Sequence, residues 1–296
     1  MPLAGALLTN KGRGYGWGPL VDGVIVPTQP SEVGVKVPSI FGSNKQDGTL
    51  FVLGHYGTPR LNQSDWDEFL VYNFGDFADV VNKTIELSQF AATPFPVFYA
   101  MAFVITDMSY RCPAYRGAMK SAANSVPVWT YSFNHTLSCD WLTVLPQEGP
   151  TVELLGPTHT AELPLVWGLL NHLPAGVGNC SFNAAERRMS AWMVNAWTNM
   201  AEYGHPGAGW PAFNASTSLG INFNNGPQAG VVDYTLCAKF WDSIEKGILS
   251  ADANKGTPST NVTANATASG TGTAVAGPAS VVLAFALAAA GFVVLT

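Results

Sequence analysis

Residues 113–133 read PAYRGAMKSAANSVPVWTYSF, and this run contains both kinds of element that the fold uses. Its first part, Pro113–Asn124, has the pattern of a helix, and its second part, Val126–Phe133, is a short apolar run typical of a buried strand. Val37–Phe41, which ends at Gly42, predicts another buried strand. Because strands alternate with helices, the sequence favours an α/β fold.

Three more helices are predicted around this run. The clearest is Ala184–Tyr203, which Gly204 ends. Asp65–Leu87 and Tyr234–Lys246 are the other two. The helix Ala184–Tyr203 has one apolar face, which contains Met189, Trp192, Met193, Ala196, Trp197 and Met200. A stripe of this kind is more typical of a core than of a ligand site.

The composition excludes a broad nucleic-acid-binding surface. The 296 residues carry a net charge of −6, so no basic footprint is present. Charged residues make up only 11% of the chain, whereas soluble domains have about 25%. A folded surface with so few charges needs another source of solubility, such as glycans, or an association with another surface.

The cysteines and the glycosylation sequons together favour the secretory pathway. The four cysteines are Cys112, Cys139, Cys180 and Cys237. Their wide spacing contains no metal-binding pattern, and their even number fits two disulfides, although four free buried thiols are the alternative. The N-x-S/T sequons are Asn62, Asn82, Asn134, Asn179, Asn214, Asn261 and Asn265. Chance predicts about three such sequons in a chain of this composition.

The two ends of the chain suggest how it is targeted. The first residues do not form a signal peptide, so we expect the natural protein to begin upstream of Met1. Residues 251–280 form a predicted disordered linker, and the apolar residues 281–296 fit the tail of a GPI-anchor signal. The predicted attachment site is Ser269 or Gly270, with Asn265 as the alternative. A short tail anchor or a core helix would explain the same apolar run.

Six segments, spread from residue 18 to residue 241, carry a resemblance to a known family. They are GPLVDG (18–23) with Pro27 and Pro30, GSNKQDGTLF (42–51), Asp107 with CPA (112–114), GPTHTAELP (156–164), Trp197–Pro206 with Trp210–Pro211, and Cys237–Trp241. In this order they resemble the type-B carboxylesterase/lipase family, the cholinesterase-like branch of the α/β-hydrolases, and the segments around Cys139 and Cys180 are similar to its fungal secreted members. The resemblance implies that residues 1–250 are the C-terminal portion of an α/β-hydrolase fold, with a mixed, mostly parallel sheet flanked by helices.

The resemblance also implies roles for individual residues. His159 matches the general base, and Asp47 matches the acid that orients it, where the family usually has Glu. Glu162 belongs to the same motif and is interpreted as structural. The segments of Cys112 and Cys237 pair in cholinesterases, which leaves Cys139 with Cys180, although the residues alone leave three connectivities open. No cofactor or metal is implied.

The motif that presents the nucleophile is not in the sequence. No G-x-S-x-G and no HGGG-like oxyanion loop occurs in the 296 residues. The resemblance therefore implies a carboxylic-ester hydrolase of which this chain is the C-terminal half. We expect the chain alone to be marginally stable and to lack esterase turnover.

The expected partners follow from the same interpretation. They are a small-molecule or lipid ester, once the missing half is present, and a membrane held through the lipid anchor. The expected location is the extracellular face of the plasma membrane or the cell wall. A non-catalytic cell-surface adhesion module of the same family is the alternative function, and the product of a decayed gene is a third.

Overall fold

The residues that the structure describes fold around a four-stranded sheet. The computed structural model describes residues 23–28, 33–142, 151–173 and 178–255. The strands are β1 (Ser39–Asn44), β2 (Val128–Phe133), β3 (Leu219–Phe223) and β4 (Pro227–Val231). They lie side by side in chain order; β1 and β3 both run parallel to β2, whereas β4 is antiparallel to β3. The sheet is therefore mixed, as expected for an α/β-hydrolase-like fold.

Helices cover both faces of this sheet. In chain order the α-helices of the described residues are α1 (Gly48–Tyr56), α2 (Gln63–Phe74), α3 (Ala78–Thr84), α4 (Pro96–Thr106), α5 (Cys112–Ala123), α6 (Thr151–Leu155), α7 (Leu163–Val166), α8 (Ala184–Tyr203) and α9 (Asp242–Lys255). Two short π-helical turns, Asp107–Arg111 and Cys237–Trp241, precede α5 and α9. These two turns are called the first and the second π turn below.

Two apolar layers result from the alternation of side chains along the strands. Val128 belongs to the layer beneath α1, α2, α4 and α5, whereas Trp129 and Phe133 belong to the layer beneath α7 and α8. Successive side chains of a strand point to opposite faces, so β2 contributes to both layers. This explains why the strand is apolar along most of its length.

The longest helix, α8, has the bounds that the sequence predicts. Asn183 caps it: its side chain accepts hydrogen bonds from the backbone of Ala185 and Glu186, and the Glu186 side chain bonds back to the Asn183 amide. Gly204 ends the helix in a left-handed conformation, with φ of 71°. Local signals therefore determine both ends of α8.

Two predicted helices need correction. The segment Asp65–Leu87 is not one helix, because α2 ends at Gly75, whose φ of 51° and ψ of −119° leave the helical region, and a separate short helix, α3, follows. The segment Tyr234–Lys246 contains the second π turn before α9 begins at Asp242. The first predicted strand also starts two residues later than expected and extends to Asn44.

Two disulfides hold the described residues together. Cys112 bonds to Cys237, which joins the start of α5 to the second π turn, and Cys139 bonds to Cys180. This is the connectivity that the resemblance implies. All four cysteines of the sequence lie in the described residues, and none of them is free.

Several predictions fall outside the described residues. They are residues 256–280 of the predicted linker, the tail of residues 281–296, the sequons Asn261 and Asn265, and the attachment sites Ser269 and Gly270. The first five residues of the predicted linker, 251–255, are not disordered, because they form the end of α9. Within the residues that the structure describes, no helix has the length and apolar character needed to cross a membrane. The same residues contain no group of three or more His, Cys, Asp or Glu side chains that could hold a metal ion.

Candidate active site

The candidate site lies where two loops meet at the carboxyl end of β1. Asp47 follows this strand and directly precedes α1, whereas His159 lies in the loop between α6 and α7. The backbone amide of Gln46 donates a hydrogen bond of 3.1 Å to the carbonyl of Pro157, which holds the two loops side by side. In open α/β sheets, functional residues commonly lie at the carboxyl ends of the strands.

The structure brings Asp47 and His159 into direct contact. His159 Nδ1 lies 3.0 Å from Asp47 Oδ1, and Asp47 Oδ2 accepts a hydrogen bond of 2.7 Å from the Asn44 amide. An ionised carboxylate can only accept, so the His159 proton resides on Nδ1. In the neutral imidazole, Nε2 is then the acceptor, which is the tautomer that a general base needs.

Burial and neighbouring charges shift the pKa of each member of this pair in opposite directions. Burial raises the pKa of Asp47, although the hydrogen bond and charge of His159 and the amide of Asn44 oppose that effect. Burial lowers the pKa of His159, but the bond to Asp47 and the negative charges of Asp47 and Glu162 together raise it above its ordinary value. The Asp47 side chain is 4% exposed and the His159 side chain 28% exposed. The pair is thus shielded from water on the carboxylate side and reachable on the imidazole side.

A hydroxyl pair fastens the His159 loop to α1. The Thr49 hydroxyl lies 2.8 Å from the Thr158 hydroxyl and 2.7 Å from the Leu155 carbonyl, and the Leu50 amide donates to the Thr158 hydroxyl over 3.1 Å. Thr49 and Thr158 are fully buried. Because buried polar groups are costly unless they are paired, these bonds resist separation of the loop from the helix.

Asn44 links the histidine loop to Glu162. Its side-chain amide donates to the Thr158 carbonyl over 2.6 Å and to Glu162 Oε2 over 2.5 Å. Burial raises the pKa of Glu162, and the charge of Asp47 raises it further, while the bond from Asn44 opposes the shift. Asn44 lies within one of the motifs, but the sequence assigned it no role, because no local signal shows that one residue contacts both loops.

Two aromatic rings flank the imidazole. The Phe51 ring centroid lies 5.1 Å from that of His159, and the Tyr110 ring centroid lies 4.8 Å from it. Phe51 is the last residue of a motif, whereas nothing in the sequence pointed to Tyr110. The hydroxyl pKa of Tyr110 is raised by burial and by the charge of Asp47, so this side chain is neutral at physiological pH.

A second histidine–carboxylate pair serves the fold instead. His135 Nε2 lies 3.1 Å from Glu186 Oε1, and both side chains are buried. Glu186 also accepts from the amide and hydroxyl of Ser138 and from the amide of Asn183. With its oxygens engaged in capping α8 and holding this loop, Glu186 has the surroundings of a structural residue.

Known proteins are similar to this chain over most of its length. The model of the carboxylesterase family matches residues 4–241. An acetylcholinesterase of Bungarus fasciatus is 23% identical over 269 residues, which are 80% of this chain and 40% of that protein. The crystal protein of Dictyostelium discoideum is 26% identical over 207 residues, 64% of this chain and 33% of that protein.

The matches cover only part of the two relatives but most of this chain. The chain spans 40% and 33% of the lengths of these two curated relatives. The family model, in contrast, covers most of the chain, including both loops of the candidate site and both disulfides. The chain therefore belongs to the carboxylesterase family.

Proposed function

We propose that this chain provides the general base and its supporting acid to a carboxylic-ester hydrolase. The observation that carries the proposal is the contact between His159 Nδ1 and Asp47 Oδ1, 3.0 Å apart, with Asp47 held from behind by the Asn44 amide. Family membership supplies the reaction class, because an ester is the substrate from which a carboxylesterase takes its name. Asp47 stands one methylene shorter than the usual Glu and nevertheless reaches the imidazole.

In this proposal a serine attacks the ester carbonyl while His159 Nε2 takes the serine proton. Asp47 stabilises the imidazolium that forms and keeps Nδ1 protonated. His159 then returns the proton to the leaving alcohol, and water hydrolyses the acyl-enzyme by the same steps. The serine is expected from a G-x-S-x-G segment outside these 296 residues, since none of them form that motif. The chain alone is then inactive towards esters.

The decisive experiment compares the protein encoded by the full-length transcript with the 296-residue chain. We expect the full-length protein to hydrolyse p-nitrophenyl butyrate and to react with a fluorophosphonate probe, and the 296-residue chain to do neither. His159→Ala in the full-length protein should abolish turnover. His205→Ala is the matched control, because His205 is exposed and its described contacts, with the Gly207 amide and the Tyr203 ring, are local in the chain.

The outcome separates this function from a non-catalytic adhesion module of the same family. Full-length protein with unchanged turnover after His159→Ala would contradict the role of His159. Folded full-length protein without turnover or probe labelling would favour the adhesion module. The retention of Asp47 and His159, in contact at 3.0 Å, favours the enzyme, because an adhesion module has no need of them.

We also propose that the protein matures in the secretory pathway and is held at the cell surface by a lipid anchor. The two disulfides and the sequons support the first part. Exposed sequons among the described residues are Asn62, Asn82, Asn179 and Asn214, whereas Asn134 is half-buried. A mass loss on treatment with peptide N-glycosidase F and release of the protein from cells by a phosphatidylinositol-specific phospholipase C are the expected results.

A further inference from the structure

Tyr110, His159 and Phe51 form a compact group of three rings, called the aromatic clamp here. Tyr110 and Phe51 stack on one another with centroids 5.8 Å apart and planes inclined by 17°. The imidazole packs against both of them at 4.8 Å and 5.1 Å, tilted by nearly the same angle. The ring of the candidate base therefore has two aromatic rings as close neighbours, and these two rings also lie next to each other.

The two rings of the clamp come from different elements. Phe51 lies on α1, the helix that Asp47 precedes, so its position is tied to that of the carboxylate. Tyr110 lies in the first π turn, more than fifty residues further along the chain. π turns are rare and often occur at functional sites, because the extra residue redirects a side chain.

The first π turn is anchored at both ends. At its start, the buried Asp107 accepts a hydrogen bond of 2.9 Å from the Trp241 indole and pairs with Arg111. At its end, Arg111 donates to the carbonyl of Lys45, two residues before Asp47, over 3.3 Å. The Cys112–Cys237 disulfide follows immediately. The backbone of Tyr110 is thus fixed relative to the Asp47 loop.

We propose that Tyr110 is a positioning residue, which holds the imidazole of His159 in the orientation that keeps Nδ1 on Asp47 and leaves Nε2 for the reacting proton. This inference rests on the proposed function. A histidine ring can turn about its terminal torsion, since such torsions have broad minima. A half-turn would move Nδ1 away from Asp47 and exchange it for a carbon atom. The two rings of the clamp oppose that motion by contact.

The ring of Tyr110 accounts for this role without its hydroxyl. The packing against His159 is between the two rings, whose centroids lie 4.8 Å apart with planes inclined by 46°, and burial raises the pKa of the hydroxyl further above physiological pH. Phenylalanine at this position should therefore preserve the role, and an aliphatic residue should not.

The first test uses NMR of the 15N-histidine-labelled full-length protein and reads the proton on His159 Nδ1. In the wild type we expect a slowly exchanging Nδ1 proton, which Tyr110→Phe retains and Tyr110→Ala loses. Tyr110→Leu fills most of the vacated space and is the second variant, so that a folding defect of Tyr110→Ala does not decide the result. Tyr203→Ala is the matched control, because this exposed tyrosine stacks on another histidine, His205, at 6.1 Å.

The second test uses ester hydrolysis by the full-length protein. Tyr110→Leu should lower kcat by about 10- to 100-fold with little change in KM, the scale expected for a misplaced catalytic group. Tyr110→Phe should keep the kcat of the wild type. A lower kcat in both variants, or an unchanged Nδ1 proton in Tyr110→Leu, would overturn the inference about Tyr110.

These results distinguish the inference from the function on which it rests. If the wild-type chain shows no Nδ1 proton bound to Asp47, the proposed role of His159 fails first. If the wild type shows that proton and Tyr110→Leu keeps it together with full kcat, only the positioning role of Tyr110 fails.

Discussion

Replacing Asp47 by asparagine tests the central contact of the site with almost no change in volume. Asp47 accepts from the Asn44 amide on one oxygen and from His159 Nδ1 on the other. An asparagine side chain has only one acceptor oxygen, and the Asn44 amide is a fixed donor that claims it. The NH2 group of the new residue then faces His159 Nδ1. The imidazole can accept that bond only as the other tautomer, with its proton on Nε2.

The expected changes in the His159 pKa and in kcat follow from the loss of the hydrogen bond between His159 and the Asp47 carboxylate. A hydrogen bond to a charged group contributes about 1.5–3 kcal/mol, and about 1.4 kcal/mol corresponds to one pKa unit. We therefore expect Asp47→Asn to lower the pKa of His159, because the charged acceptor on Nδ1 is lost. With Nε2 protonated, His159 cannot take a proton from serine, and kcat should fall by about 10⁴-fold, as in serine protease triads.

Two assays measure these effects. Long-range 1H–15N NMR of the full-length protein reports the tautomer and the pKa of His159. Hydrolysis of p-nitrophenyl butyrate by the full-length protein reports kcat and its pH dependence. A base must be neutral to act, so activity falls as the pH drops through the His159 pKa, which lies above its ordinary value in the wild type. In Asp47→Asn the remaining activity should persist to lower pH.

A control variant and a contradicting outcome complete the test of Asp47→Asn. Asp79→Asn removes an exposed carboxylate on α3, and it should change neither the His159 tautomer nor kcat. If Asp47→Asn folds normally, keeps the proton of His159 on Nδ1 and retains wild-type kcat, then Asp47 does not orient the base, and the assignment made from the 3.0 Å contact is wrong.

Two further predictions concern the cap of α8. Asn183→Ala removes a side chain that accepts from two backbone amides, and it should lower the free energy of unfolding by about 1 kcal/mol in urea titrations; the exposed Asn195→Ala should have a much smaller effect. Burial alone raises the pKa of Glu186, but hydrogen bonds from His135, Ser138 and Asn183 lower it below its ordinary 4.5. Its stabilising effect is then present above pH 4.5 and is lost as the pH falls through the lowered value, so the stability difference between wild type and Glu186→Gln should shrink on acidification; a constant difference would contradict this.

The elements that the sequence predicted correctly are those with strong local signals. For α8 these signals are an amphipathic stripe, an asparagine cap and a terminal glycine, and each acts within a few residues. β2 is a short apolar run bounded by turn residues, and its observed start at Val128 differs from the predicted one by two residues. Such features depend on neighbours in the chain and need no tertiary information.

Two of the helices that were not predicted, α1 and α4, lack the usual pattern of one apolar and one polar face. α1 and α4 are apolar nearly throughout, with Gly48 of α1 packed so closely on α4 that a Cβ would lie 2.1 Å from the Ala102 carbonyl. A helix that is apolar all round lacks the periodicity by which helices are recognised. The two π turns likewise have no local signature.

The sequence by itself determined the residue types of the site, the family motifs and the ends of α8. Asp47 and His159 were identified because each lies in a motif, and motifs are read along the chain. Only the tertiary structure decided which groups meet across the chain: Asn44 with Glu162, 118 residues apart, and Tyr110 with His159. Contacts between loops depend on how the strands and helices pack, and a residue such as Tyr110, which touches the site from a distant π turn, leaves no trace in the local pattern.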